Sequence, residues 1–409
     1  MTTRFLPAPG APRRLAAAQL ANSVGDGAYY VCSALFFTRF VGLSPAQIGL
    51  GLTAAWAVGS LAGVPLGALA DRRGPHGTSV LLALATAVSV ASFLFVRSFG
   101  AFLSAVVLYA VSQCGLAAAR QALLSGLVAP RERTGLLAHL QSTLNAGLAL
   151  GAALGGLALS AGTERAYLVV FALDAAGFLV CAAVLLTLPA VAPAPERPAG
   201  EPRLAVLRDR PYALVTLLNA VLLLRMPLLS LAVPLWIAER TQAPGWLVSA
   251  LFVLNTLAVM LFQVRLARPV TDLDSAGRAL RLSGLVMAAS CAVFAVSALP
   301  RAGWAAAALL VAGAALQADA EMRQSAGSWQ IGFALAPAGR TGQYQGFFGT
   351  GVPVARTLGP LLLTTLLLPW GIPGWLLLGG LLLAASYAMG PAARWAESAR
   401  TPVPAADAA

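Results

Sequence analysis

Eight ionisable side chains lie inside long apolar stretches of the sequence, where a charge is costly and usually functional. They are Asp26, Asp174, Asp319, Glu321, Arg120, Arg225, Arg323 and Arg356. Each would cost roughly 2.5 to 3.5 kcal/mol if it faced lipid alone, so we expect these residues to turn inward and pair. Arginine keeps its proton in such surroundings, whereas a carboxyl group can gain and lose one. The available chemistry is therefore reversible proton binding, and the candidate proton sites are Asp26, Glu321 and Asp319.

The acids differ in their local spacing. Asp319 and Arg323 are four residues apart and therefore adjacent on one helix face, which indicates a self-contained structural pair. Glu321 lies on a different face of the same stretch and is the second candidate after Asp26. If this polar cluster lay in a loop, both of its acids would lose that role. For Asp26 the alternative is a permanent salt bridge that only fixes helix packing.

The stretches that hold these residues are predicted to be membrane helices. Of 409 residues, 59% are hydrophobic and 10% are charged, whereas about a quarter are charged in soluble proteins. Apolar runs of about 20 residues, enough to cross a bilayer as a helix, recur along the chain. We expect an all-α integral membrane protein with twelve spans, at residues 15–40, 46–70, 77–97, 101–128, 136–161, 166–188, 212–238, 246–267, 281–299, 302–336, 343–368 and 372–393.

The basic residues predict the orientation of these helices. All 27 are arginine, and most fall in connections on one side of the membrane. This bias predicts that both termini are cytoplasmic. It also accounts for the net charge of +12 without nucleic acid. The abundance of Ala, Arg and Gly and the lack of Lys favour a GC-rich bacterium, so we expect a multi-pass protein of the bacterial cytoplasmic (inner) membrane.

A polar linker divides the chain into two similar halves. We predict an N-terminal six-helix half (1–188), a cytoplasmic linker (189–211) with six prolines, a C-terminal six-helix half (212–395) and a disordered tail (396–409). The stretch A-P-R-E-R-T-G at 129–135 matches A-P-A-G-R-T-G at 336–342 in five of seven positions. Two halves repeated in the same sense predict a substrate site between them, near mid-membrane.

The turn between the second and third spans reads G-A-L-A-D-R-R-G at residues 67–74. With the twelve spans and the repeat, it resembles the major facilitator superfamily over nearly the whole chain. The resemblance implies a cytoplasmic gate motif formed by Gly67, Leu69, Asp71, Arg72 and Gly74. Gly67 would let helices approach closely, and Asp71 would accept hydrogen bonds at a helix N-terminus. Pro75 and His76 depart from the basic pair usual in the family, and a generic charged turn is the alternative.

A second resemblance lies in the fifth span. The stretch G-L-A-L-G-A-A-L-G-G at 147–156 is similar to the antiporter signature of that superfamily, with Ala152 in place of its proline. The glycines predicted to pack against a neighbouring helix are Gly147, Gly151, Gly155 and Gly156. The resemblance favours antiport, and ordinary packing of small residues is the alternative.

The resemblance also implies a central cavity lined by spans one and seven. The same offset separates Asp26 from Arg225 and Pro45 from Pro244, so we predict that Asp26 and Arg225 face the cavity from opposite halves. Further candidates for charge partners are Arg120, Arg356 and Arg323. Candidates for the cavity wall are Asn22, Tyr29, Tyr30, Gln113, Asn145, Asn219, Asn255 and Trp329.

These features favour a secondary active transporter that exports small amphipathic or hydrophobic molecules, such as a drug or natural product, by proton antiport and alternating access. The alternatives are a proton-coupled importer of a small metabolite and a non-transporting membrane receptor or sensor of the same fold. No cluster of nucleophile and base and no phosphate-binding loop points to an enzyme or an ATPase. We expect a monomer whose partners are the substrate, protons and the lipid bilayer, with no cofactor, metal or nucleic acid.

Overall fold

The computed structural model describes residues 7–195 and 202–400, and the regular structure of that part of the chain is helical. The α-helices are α1 (Ala11–Arg39), α2 (Pro45–Arg73), α3 (Pro75–Ser92), α4 (Phe99–Leu127), α5 (Pro130–Ala161), α6 (Glu164–Leu186), α7 (Arg210–Leu223), α8 (Val233–Arg240), α9 (Leu247–Ala267), α10 (Leu273–Val296), α11 (Gly303–Ala334), α12 (Thr341–Gly349), α13 (Gly351–Trp370) and α14 (Ile372–Ser398).

Fourteen helices of the described chain make twelve spans because two spans are broken. α7 and α8 belong to one span, which is interrupted around Pro227 and continues through a π-helical turn at Leu228–Ala232. Proline has no N–H to donate to the preceding turn of a helix, so the break falls at Pro227. α12 and α13 likewise form one span with a break at Thr350. Within the described residues, eleven spans are long and apolar enough to cross a membrane, and α1, with its more polar sequence, is the twelfth.

Glycine allows close packing within the first half. α5 lies on α1 through Gly147, Gly151 and Gly155, which repeat every four residues and so share one face. A Cβ at Gly151 would overlap the carbonyl oxygen of Val24, so a side chain there would force the helices apart. Gly156 is a correction to our expectation, because it is one residue off this face and has open space around it.

Several helix boundaries differ from the prediction, most of all the start of α10. α10 begins at Leu273 rather than near 281, because Asp272 caps it. The Ser275 N–H donates to Asp272 Oδ1 at 2.7 Å, and this bond holds the pKa of Asp272 below its usual value. α14 continues through Ser398, so the predicted tail starts too early; its last residues, 401–409, lie outside the described part.

The described parts of the predicted linker lie against the bundle. The Ala194 N–H donates to the carbonyl oxygen of Asp71 at 2.8 Å, and Val206 is buried in the core of the second half. The contacts of these two residues differ from the free tether that the proline-rich composition predicts. Residues 196–201, in the middle of that linker, lie outside the described residues.

Candidate functional site

A cavity of about 380 Å³ lies between the two halves. Its walls come from α1, α2 and α4 on one side and from α7, α11, α12 and α13 on the other. The charged residues of this wall, within the described chain, are Asp26 and Arg356, and its aromatic residues are Tyr30, Trp56, Trp329 and Phe348. The cavity wall therefore combines aromatic, amide and small side chains with one acid and one base.

Asp26 is held by neutral donors. The Asn22 side-chain amide donates to Oδ2 at 3.2 Å, and the Tyr109 hydroxyl donates to Oδ1 at 3.3 Å. Gln113 in turn donates to the Tyr109 hydroxyl at 3.1 Å. Among the residues that the structure describes, no cation lies within 4.0 Å of this carboxyl. Asp26 can therefore bind and release a proton without breaking an ion pair.

Arg356 supplies the opposite charge from the second half. Its guanidinium carbon lies 5.2 Å from the centre of the Trp56 ring, a cation–π distance. The side chain is exposed to the cavity, and none of the acids in the described part forms an ion pair with it. Because arginine does not lose its proton, this end of the cavity is permanently positive.

Arg225 does not face Asp26 across the cavity as predicted. Its Nη1 lies 3.1 Å from Glu321 Oε1, and its Nε and Nη2 donate to Gln324 Oε1 at 3.0 and 2.7 Å. The side chain is only 6% exposed, because the break before Pro227 turns it into its own half, toward α11. Arg356 takes the position expected of Arg225, a difference that sequence offset alone did not reveal.

The two acids of α11 are both bound to arginines. Glu321 is paired with Arg225, and Asp319 receives two hydrogen bonds from Arg323, at 2.7 and 3.0 Å. The Asp319–Arg323 pair is the self-contained one that the spacing predicts. Each of these carboxylates therefore lies against a permanent cation, whereas the hydrogen-bond partners of Asp26 are neutral.

The predicted wall residues divide into two sets. Tyr30, Gln113, Asn219 and Trp329 line the cavity. The others do not line it: Asn22 donates to Asp26, Tyr29 stacks on Phe93, Asn145 donates to the Gln141 carbonyl, and Asn255 lies outside the wall. Arg120, predicted as a charge partner, donates to Gln19 at the edge of a smaller neighbouring cavity. Arg323, with its acid on α11, is also outside the wall.

Several wall residues were not predicted. They are chiefly Trp56, Ser60, Gln121, Gln324, Gln345 and Thr350. Glutamine inside an apolar span also carries a burial cost, although a smaller one than a charge. Applying that criterion to amides as well as to charges would have identified Gln121, Gln324 and Gln345.

The gate motif closes one end of the cavity, the end where α1 begins and α14 ends, called the closed end below. Asp71 Oδ1 accepts a hydrogen bond from the Gly342 N–H at 2.8 Å, and Oδ2 accepts one from the Gln343 N–H at 2.9 Å. Both donors lie in the first turn of α12, where N–H groups have no helical partner. The acid of the first half thus caps a helix of the second.

Glycines bring α2 and α12 into backbone contact at this end. Gly67 faces Gly342, and Gly63 faces Gly346, so that a Cβ at Gly67 or Gly346 would overlap the facing carbonyl oxygen. Gly74 has a φ of 98°, which lets the chain reverse between α2 and α3. Leu69 is half-buried and Arg72 is exposed. His76, which departs from the family pattern, lies 2.9 Å from the Leu185 carbonyl.

Other bonds between the halves lie on the same side of the cavity. The Thr134 hydroxyl donates to Gln330 Oε1 at 2.7 Å, and Ser142 donates to the Val259 carbonyl at 3.4 Å. Across the described ranges, we find no side-chain hydrogen bond between the halves beyond the cavity toward the opposite end. The side-chain hydrogen bonds between the halves of the described chain therefore lie on one side of the cavity.

The chain matches one protein family and is similar in fold to several solved structures. A family model described as Major Facilitator Superfamily matches residues 15–318. The fold is similar to that of FucP, described as a Major Facilitator Superfamily transporter in the outward conformation, with a TM-score of 0.75, 15% identity and coverage of 97% of this chain and 100% of the other. The fold is also similar to that of a bacterial homologue of the iron transporter ferroportin in the outward-facing state. The TM-score is 0.71 and the identity 15%, with coverage of 95% of this chain and 100% of the other.

The human organic anion transporter MFSD10 is a third similar structure, with a TM-score of 0.68 and 18% identity, covering 94% of this chain and 100% of that one. No curated protein sequence matches the chain significantly. At these identities the likeness shows the fold and does not identify the substrate.

Proposed function

The chain belongs to the major facilitator superfamily, and we propose that it is a secondary active transporter that exports small amphipathic or hydrophobic molecules in exchange for protons. The observation that carries this proposal is the position of Asp26, the carboxyl in the described cavity wall, among neutral hydrogen-bond donors. Aromatic rings and amides around it suit a ligand with an apolar body and few polar groups.

Antiport requires the proton and the substrate to compete for one group. An ionised Asp26 attracts a cationic or hydrogen-bond-donating part of a substrate, and a proton on Asp26 removes that attraction. Arrival of a proton on one side therefore releases the substrate, and departure of the proton on the other side restores binding. A substrate with a protonatable amine or a donor group fits this scheme best.

The closed end supports alternating access. We assign it to the cytoplasm, as the arginine bias predicts, so the conformation described here faces outward. The bonds from Asp71 to α12 and the contacts between Gly67 and Gly342 would break when the cavity opens inward. Because the closed end is held by a few hydrogen bonds and by glycine contacts between α2 and α12, the two conformations can lie within a few kcal/mol of each other.

The exposed Arg356 favours a second candidate, proton-coupled uptake of a small anionic metabolite. An anion bound to Arg356 competes with the Asp26 carboxylate for the same positive charge, so a proton on Asp26 would strengthen anion binding. Proton and substrate would then move in the same direction. The charge of the substrate therefore decides between the two candidates.

Transport in proteoliposomes with an imposed pH gradient tests both. The probes are tetraphenylphosphonium, Nile red and fluorescein, which are cationic, neutral and anionic. We expect tetraphenylphosphonium or Nile red to move against the proton flow, and Glu164→Gln, a change at an exposed ion pair far from the cavity, to transport like wild type. Movement of fluorescein alone, in the direction of proton flow, would favour the importer. If the pH gradient changes the transport rate of none of the three probes, proton coupling is contradicted.

A further inference from the structure

A second carboxyl group lies behind Asp26 and takes no part in the scheme above. Asp174 of α6 is 0% exposed, and neither of its carboxyl oxygens has a hydrogen-bond partner among the described residues. An ionised carboxylate buried without a partner costs several kcal/mol, more than the protein gains from any single ordinary contact. The neutral acid avoids most of that cost.

Asp174 lies directly on the backbone of α1 beside Asp26. A Cβ at Gly25 would lie 2.5 Å from the Asp174 Cα, so glycine is required at the residue that precedes Asp26. One turn further along α6, Gly177 meets α1 in the same way, with a Cβ position 2.6 Å from the Ala21 carbonyl oxygen. Two close glycine contacts thus set the carboxyl of α6 against the segment of α1 that carries the candidate proton site.

A polar group on α1 also lacks a partner. The Asn22 side chain donates to Asp26 through its nitrogen, but its Oδ1 is buried without a donor from the described residues. Gly177 packs on the Cα of Asn22 as well, so this acceptor and the Asp174 carboxyl belong to the same α1–α6 interface. A protonated carboxyl is a donor, the kind of group that an unpaired amide oxygen needs.

The charges around Asp174 are those of this interface. α1 contributes Asp26, Tyr29 and Tyr30, and α4 contributes Tyr109. α3, which also packs on α6, has His76 at its start and no acid, lysine or arginine. Asp26 is thus the acid that faces Asp174, and two adjacent carboxylates in a shared site resist being ionised together.

We propose that Asp174 is a second proton-binding carboxyl, which titrates together with Asp26 as a pair at the α1–α6 interface. The proton that leaves breaks its O–H bond on Asp174 and forms one on the ionised Asp26 carboxylate, which then passes a proton to water in the cavity. Only Asp26 of the pair reaches the cavity wall, so exchange with water passes through it. The pair holds one more proton than Asp26 alone could carry.

Infrared difference spectroscopy on the purified protein tests this without transport. Wild type should show the C=O stretch of buried protonated carboxyls, and Asp174→Asn should lose the part of this band that persists to the highest pH, keeping at low pH only the band of protonated Asp26. Asp26→Asn should keep the band at low pH but lose it at a lower pH than wild type does, because the neighbouring negative charge is gone. The exposed Glu397→Gln variant is the control and should leave the band unchanged. A band in Asp174→Asn that persists to as high a pH as the wild-type band, or a pH midpoint that Asp26→Asn does not move, would overturn the proposal.

A second measurement rests on the proposed function. In proteoliposomes, the number of protons exchanged per substrate should fall by roughly half in Asp174→Asn if the pair exchanges both of its protons. An unchanged ratio would contradict shared proton exchange even if the high-pH part of the infrared band is lost. Wild-type protein that ignores a pH gradient would refute the proposed function instead, and the infrared band would still decide whether Asp174 holds a proton. If Asp174→Asn does not fold, the comparison of wild type with Asp26→Asn remains decisive.

Discussion

Asp26 of α1 and Arg356 of α13 face one cavity from opposite halves, and in the described structure no ion pair joins them. The separation matters because an ion pair at bonding distance would fix the cavity in one state. Because the two side chains are not paired, Asp26 is available to a proton or a substrate, and Arg356 keeps a constant positive charge on the opposite wall. Coupling in this account depends on that arrangement.

Replacing Arg356 should change charge preference more than folding. We expect Arg356→Gln to weaken binding of the anionic probe fluorescein by roughly tenfold, about 1.4 kcal/mol, because the cation opposite Asp26 is lost. Binding of tetraphenylphosphonium should be unchanged or tighter. Fluorescence titration of the purified protein measures both. Equal loss for the two probes would indicate a structural role of Arg356 on Trp56 instead.

A methyl group at Gly67 should loosen the closed end. Gly67→Ala places a Cβ against the Gly342 backbone, where neither partner is a flexible side chain. Overpacking of this kind costs about 1 to 3 kcal/mol. We expect hydrogen–deuterium exchange in the first turn of α12 to speed up by about tenfold or more. Gly77→Ala is the matched control, because no atom lies within 4 Å of its Cβ position, and it should leave the exchange rate unaltered.

Removing the Asp71 carboxylate should expose the same amides by another route. Asp71→Ala deletes the acceptors of the Gly342 and Gln343 N–H groups, and hydrogen bonds to a charged group contribute about 1.5 to 3 kcal/mol. Asp71→Asn keeps one acceptor oxygen and should have an intermediate effect. Exchange at residues 341–343 is again the measurement. Asp272→Ala removes a comparable cap from α10 and should speed exchange there but not in α12; faster exchange in both helices would indicate general destabilisation.

The Arg225–Glu321 pair should prove structural. Glu321→Gln leaves Arg225 buried without its counter-charge, at a cost of about 3 to 5 kcal/mol. We expect a lower Tm for this variant, partial recovery in Arg225→Met/Glu321→Met, and pH-driven transport in whatever folded protein remains. Thermal unfolding and proteoliposome flux provide the two readouts. Loss of pH coupling at wild-type Tm would move the proton site to Glu321.

Much of the architecture follows from the sequence because the bilayer leaves little choice. Runs of about 20 apolar residues must be helices, so the twelve spans, the fold and the family follow from composition, the repeat and the turn at 67–74. Boundaries such as the start of α10 do not follow from hydropathy, because a polar capped helix can extend well beyond the hydrocarbon layer.

The cavity wall was harder to predict. Within a span, hydropathy does not tell the face toward the cavity from the face toward a neighbouring helix. Asn145 and Gln113 are alike in type, yet only Gln113 reaches the cavity. Arg225 was misplaced because Pro227 breaks its span and changes the direction of the side chain, an effect that a matched offset between halves cannot reveal.

The most direct test of the central claim is transport by Asp26→Asn in two modes. We predict that this variant still exchanges labelled for unlabelled tetraphenylphosphonium or Nile red, whichever wild type transports, because the cavity is intact. It should no longer move that probe in response to a pH gradient, whereas Glu164→Gln should do both. Gradient-driven transport by Asp26→Asn at the wild-type rate would show that the proton binds elsewhere and would contradict the account.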